Sequence, residues 1–192
     1  PIQSLADLKG KRVALNKGSN VHYLLVRALE QAGIGYDEIT PTFLAPADAR
    51  AAFASGAVDA WAIWDPFQAS AEQTLKAREL TNAEGLAPNY QFYFGDREFV
   101  TGNPEAVAAI IAAIGETGDW IRANPAAAAA ELAPATGIPV DALELAISRQ
   151  SFGVAPLTDE VVADQQAVAD TFEALGLLPK PVKVSDALAN GS

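Results

Sequence analysis

Apolar residues in the first part of the chain switch between two spacings. Arg12-Val13-Ala14-Leu15 is a short strand-like run, and the polar turn Asn16-Lys17-Gly18-Ser19-Asn20 follows it. From Val21 the apolar positions Val21, Leu24, Leu25, Ala28, Leu29 and Ala32 keep the three-and-four spacing of a one-faced helix, which Gly33 ends. The order then repeats. Ile39 to Leu44 predicts a second strand, placed at an edge or a strand start because Pro41 has no N–H to give to a ladder. Pro46 to Ser55 predicts a helix with Ala49, Ala52 and Phe53 on one face, ended by Gly56. Val58 to Trp64 has little polar alternation, as expected of a parallel strand covered on both faces, and Asp65-Pro66 breaks it. Strand, helix, strand, helix, strand is a βαβαβ unit.

Ser4 to Gly10, ahead of this unit, reads as a capped helical turn. Behind it, Gln68 to Ala77 predicts a helix, and Arg78–Thr81 and Tyr90–Phe94 predict short strands. The composition then changes. Asn103-Pro104 opens a long helix striped by Val107, Ile110, Ile111, Ile114, Trp120 and Ile121, with Gly115 and Gly118 as weak points. Pro125 starts an alanine-rich helix at its first position. Val140 to Arg149 and Asp159 to Leu175 complete a mainly helical second half. The domain reading is therefore an α/β lobe over 1–95 and a mainly helical segment over 96–192.

Parallel α/β sheets bind ligands outside the carboxyl ends of their strands. Two segments reach that edge, Asn16-Lys17-Gly18-Ser19-Asn20 and Trp64-Asp65-Pro66-Phe67, and they should face one crevice. Gly18 lets backbone approach a ligand closely. Ser19 or Asn20 can cap the helix or donate to an oxyanion, and the unpaired first-turn amides add donors. Lys17 is either a solvated surface cation or a ligand cation. His22 either packs and caps or donates beside an anion. Trp64 is core or an aromatic pocket wall, while Trp61 is assigned to packing. Asp65 receives an amine, holds the turn or orients a donor. Arg149 satisfies helix carbonyls or reaches the anion from the opposite lobe.

The chain has 192 residues, 50% hydrophobic, with a formal charge of −11. Phosphate neutralization needs a basic patch, so nucleic acid and anionic membranes are poor partners. A small anion is still permitted, because a helix end and one or two cations act locally. There is no cysteine and one histidine, which excludes thiolate zinc sites, thiol catalysis and disulfides. No nucleophilic triad assembles and no acidic pair has metal-loop spacing. Neither a catalytic residue, a cofactor nor a metal is assigned. No apolar run is long enough to span a bilayer. The sequence contains no methionine, which suggests a processed or truncated product.

The stretch S-L-A-D-L-K-G-K-R-V-A-L-N-K-G-S-N-V-H-Y-L-L-V-R-A-L-E-Q-A-G-I, Ser4 to Ile34, resembles the aliphatic-sulfonate-binding proteins of bacterial ABC importers. Relatives in that family bind taurine, nitrate and thiamine precursors. Asp59 to Phe67, Phe92 to Arg97, Gly153 to Leu157 and Val162 to Gln166 extend the likeness along nearly the whole chain. The resemblance implies an α/β, periplasmic-binding-protein-like type II fold, with one α/β lobe and a mainly helical part of a second. Ser4 to about Phe94 would be the family's second lobe. Family members begin with a further βα segment that builds most of the first lobe, and this sequence does not contain it. The implied function is a periplasmic, non-catalytic receptor for an alkanesulfonate or taurine-like anion, delivering it to a membrane permease. Gly18, Ser19, Asn20, Trp64 and Asp65 would form one cleft wall. Two other readings share this architecture: an effector-binding domain of a transcriptional regulator, and an enzyme of pyrimidine-precursor synthesis. Without the first-lobe strands, the helices after Asn103 would expose an apolar face. The expected result is self-association or pairing with the missing N-terminal segment.

Overall fold

The computed structural model describes residues 2–188. These divide into two compact units, the first ending at Asn89 and the second starting at Tyr90.

The first unit is a three-stranded parallel sheet in the order β2-β1-β3, with β1 Arg12–Leu15, β2 Thr40–Phe43 and β3 Ala60–Trp61. Helices α1 Asn20–Gln31, α2 Pro46–Ala54 and α3 Phe67–Leu75 follow the three strands in turn. Side-chain alternation along β1 divides the core. Val13 and Leu15 join Leu25 and Leu29 of α1, whereas Ala14 joins Ala49 of α2 and Val58. Helices therefore cover opposite faces of the sheet, which explains why β1 lacks a polar face. Leu15 and Leu29 are fully buried, each stabilizing the unit by about 1.5–3 kcal/mol.

The local signals act as the sequence predicts. Ser4 and Asp7 form a reciprocal cap on the opening turn, Leu5–Leu8. Pro41 lies on the edge strand. Thr40 N–H donates to Lys11 O and Leu44 N–H to Leu15 O, at 2.8 and 3.0 Å. Alternation therefore turns the nitrogen of Pro41 toward the open border, where no ladder bond is lost.

Three strand expectations are corrected. The predicted Val58–Trp64 strand is limited to Ala60–Trp61, which pair with Val13 and Ala14 of β1. Ladder bonds from Asp59 N–H to Arg12 O and from Ala62 N–H to Ala14 O flank it before the chain turns away. Arg78–Thr81 forms no strand; its Arg78 guanidinium instead donates to Gln3 Oε1 and the Ile2 carbonyl. Tyr90–Phe94 forms no strand either. No described strand pairs with it, and Phe94 is 95% exposed.

The second unit is helical among the described residues. A short helix missed by periodicity, α4 Arg97–Gly102, is capped by Asp96, whose carboxylate accepts from Glu98 N–H and Phe99 N–H. Helix α5, Pro104–Ala123, runs through Gly115 and Gly118 without breaking. A Cβ at Gly118 would stand 3.3 Å from Phe152 Cβ, so glycine there permits a close approach. Helices α6 Pro125–Thr136 and α7 Val140–Ser148 pack through Ala128, Ala129, Leu143 and Ile147. Helix α8 spans Asp159–Ala174, with Thr158 as its cap. No described helix is long and apolar enough to cross a membrane.

Candidate functional site

Strand β1 connects through α1 to β2 on one side, and β2 connects through α2 to β3 on the other. The winding direction thus reverses between β1 and β3, and open α/β sheets bind ligands beyond the strand ends at such a point. The loops leaving those two neighboring strands are Asn16–Ser19 and Ala62–Pro66. The topology brings together the two segments that the sequence singles out.

Gly18 adopts a φ of +75°, a left-handed conformation natural to glycine. Its N–H donates to Nδ1 of His22 at 3.0 Å. Ser19 is the N-cap of α1, but its hydroxyl donates to Asn16 O at 2.7 Å and does not cap the helix. The Ser19 carbonyl accepts from His22 and Tyr23 N–H. That leaves the amides of Asn20 and Val21, the first two of the helix, without an acceptor among the described residues. Asn20 is exposed, and its side-chain amide donates to Asn89 Oδ1 at 2.8 Å. Exposed Lys17 places its ammonium over the Phe43 ring.

Of the two readings of His22, the structure shows the packed one. The residue is 0% exposed, and its Nε2 lies 2.8 Å from the Tyr36 hydroxyl. The ring also touches Phe43, with centroids 5.7 Å apart. Burial pushes its pKa below the ordinary imidazole value, and the Lys17 charge adds to that. Burial likewise raises the Tyr36 phenol. His22 is therefore a neutral support behind the turn.

Trp64 is half-buried and meets Phe67 edge-on, at 6.4 Å between centroids. Asp65, joined to Pro66 by a cis peptide bond, accepts from Ala69 N–H at 2.9 Å and so holds the start of α3. Trp61 packs against Phe53. Arg149 belongs to the second unit, where it is exposed and ends α7, its N–H donating to Ala146 O while Ile147 O accepts from Gln150 N–H.

Sequence reasoning missed Phe43, Tyr36 and Asn89. Phe43 was detectable in principle, as the last residue of a strand whose carboxyl end faces the crevice. Tyr36 and Asn89 come from distant segments and leave no local signal. An open cavity of about 520 Å³ lies at the opposite end of the strands, lined by Ile2, Ala6, Asp7, Lys9, Lys11 and Asp59. Its cations and carboxylates balance, and Asp59 is already engaged by Arg12. No cluster of three potential metal ligands occurs among the described residues.

The NMT1/THI5-like family model matches residues 1–128. The chain belongs to this family. This NMT1/THI5-like chain is 40% identical over 185 residues to a protein named as aliphatic sulfonates-binding in Escherichia coli (strain K12), a match covering 96% of the chain and 58% of that relative. The crystal structure of the periplasmic aliphatic sulphonate binding protein SsuA from Escherichia coli superposes with a TM-score of 0.90 at 38% identity, over 98% of this chain and 61% of that one. The alkanesulfonate-binding protein SsuA from Xanthomonas axonopodis pv. citri, bound to MOPS, gives 0.89 at 40% identity, over 97% and 65%. The family chain described here thus has the periplasmic-binding-protein fold of these neighbors. It spans about three fifths of their length.

Proposed function

We propose that this chain is the ligand-capturing part of an ABC-importer receptor for an aliphatic sulfonate or similar small anion. It works in the bacterial periplasm and presents the ligand to a membrane permease. One observation carries the reading. The helix tip with two open amides and Lys17 stands at the topological switch point beside the Trp64 loop, in a chain similar to two sulfonate-binding proteins of known structure.

A sulfonate has three oxygens and no proton to exchange at neutral pH. It needs several donors and a nearby cation, and no base. Asn20 and Val21 amides, the Asn20 side chain and Lys17 supply those donors, aided by the positive end of α1. Gly18 and Ser19 shape the turn that presents them. Trp64 and Phe43 supply apolar surface for an alkyl portion, and Asp65 keeps the Trp64 loop in place. The binding-protein names of the relatives support a non-catalytic role, as does the commitment of the sole histidine to the turn. Exposed Phe94 and Trp120 support coverage of the second unit by further polypeptide, a second copy or another part of the receptor.

Titration calorimetry with methanesulfonate, pentanesulfonate, taurine and nitrate tests the reading. Heat with an alkanesulfonate is expected, and no heat with any of the four would remove it.

A further inference from the structure

Gly18 N–H approaches Nδ1 of His22 at 3.0 Å, and a backbone amide can only donate. Nδ1 must therefore present its lone pair. The neutral ring then carries its proton on Nε2, which faces the Tyr36 hydroxyl at 2.8 Å. A second ring proton has one place to go, Nδ1, where it would point at the Gly18 N–H. Donor would face donor, and that turn contact would be lost. Titratable groups acting on the ring include the Lys17 ammonium from the turn and the Tyr36 phenol from the segment after α1; Phe43 of β2 adds an uncharged face.

We propose that His22 is the positioning residue of the anion site. As the neutral Nε2–H tautomer it fixes the Gly18 turn that opens the first amides of α1, and protonation releases that turn. The part concerning anions rests on the receptor reading above. The part concerning the turn does not.

The consequence runs against simple electrostatics. A histidine donating directly to an anion would bind it more tightly once protonated. A histidine holding the turn through its lone pair makes anion capture weaker as it gains charge. Burial and Lys17 both disfavor the charged ring, so the turn stays set at neutral pH.

The test uses this 192-residue chain, whose single histidine makes the imidazole signals unambiguous. Nitrogen-15 NMR above pH 6.5 should show a protonated Nε2 and a hydrogen-bonded, unprotonated Nδ1. The Gly18 amide resonance should move with the same midpoint as the ring. Pentanesulfonate affinity should fall as pH drops through that midpoint. His22→Asn, which keeps an acceptor near the Nδ1 position, should bind within a few-fold of wild type and lose the pH dependence. His22→Leu should lose affinity by about tenfold, as expected for one broken hydrogen bond at a buried site.

An Nδ1–H tautomer, a Gly18 amide indifferent to ring titration, or tighter binding at low pH would each overturn the proposal. So would a folded His22→Leu variant that binds like wild type. If the chain unfolds before the ring titrates, the tautomer and the two variants decide. If nothing binds pentanesulfonate at any pH, the receptor reading fails, and the Gly18 resonance alone decides the role of His22.

Discussion

The Lys17 ammonium stands 5.4 Å from the centroid of the Phe43 ring. The pair joins the first turn of one βα unit to the end of the neighboring strand. An exposed cation–π contact of this kind contributes about 0.5–1 kcal/mol. Lys17→Gln should weaken alkanesulfonate binding about three- to tenfold at low salt, with a smaller loss at about 1 M salt, where screening shortens to about 3 Å. Calorimetry at two ionic strengths checks this. An unchanged affinity at low salt would show that Lys17 is only a surface residue.

Trp64 makes a separate prediction, because an apolar wall responds to ligand length. If it covers the alkyl chain, each added methylene up to the wall's extent should gain up to about 0.8 kcal/mol in the wild type. Trp64→Ala should flatten that dependence and leave methanesulfonate affinity nearly unchanged. A parallel loss across the whole series from methane- to hexanesulfonate would mean that Trp64 supports the fold and does not line the site.

Gly18 tests backbone geometry. A Cβ there meets nothing within 4 Å, so substitution brings no clash, only the strain of a φ of +75°. Gly18→Ala should destabilize the chain by about 1–2 kcal/mol, and Gly18→Asn by less, since asparagine tolerates the left-handed region. Urea midpoints measure both. Equal effects would point to a cause other than backbone conformation.

Arg12 and Asp59 lock the far end of the sheet. The Asp59 carboxylate accepts from Arg12 Nε, Nη2 and backbone N–H at 3.0, 2.9 and 2.9 Å. Those bonds lower its pKa from 3.8 to about 2. Its stabilizing contribution is complete above pH 3.8 and disappears as pH falls through 2. His22, also depressed, loses its contribution as pH falls below 6.5 toward its folded value. Asp59→Asn should lower the urea midpoint at pH 7 and flatten the acid limb below pH 4. A variant with the wild-type acid limb would contradict the assignment.

Leu29 reads out the core on the α1 side of the sheet. It is 1% exposed and packs with Leu15 and Leu25. Leu29→Ala should cost about 2–5 kcal/mol. Urea unfolding followed by circular dichroism checks it, and a loss below about 1 kcal/mol would mean that this core is loosely packed.

Much of this was legible along the chain because its causes are local. Arg12–Leu15, the spacing from Val21 to Ala32 and Pro46 each carry their own signal, and elements form at those places. Tyr90–Phe94 shows the limit. Its aromatic run suits a strand, but a strand needs a partner to take its backbone groups, and no described strand supplies one. His22 shows a second limit. Its place near the turn was readable, whereas the direction of its ring depends on Tyr36, fourteen residues away. The Asn16–Ser19 and Trp64–Asp65 loops were each legible as strand-end segments, whereas their adjacency rests on the strand order β2-β1-β3, which a βαβαβ pattern alone does not set.

The nitrogen of Pro41, turned outward from β2, has a consequence for the company this chain keeps. An incoming strand seeking to zip onto that flank would find a missing donor and a bulky ring in the middle of a four-residue template. Fibril-like stacking along this flank is thereby discouraged, and the concentrated chain is protected there by a single ring on its edge strand.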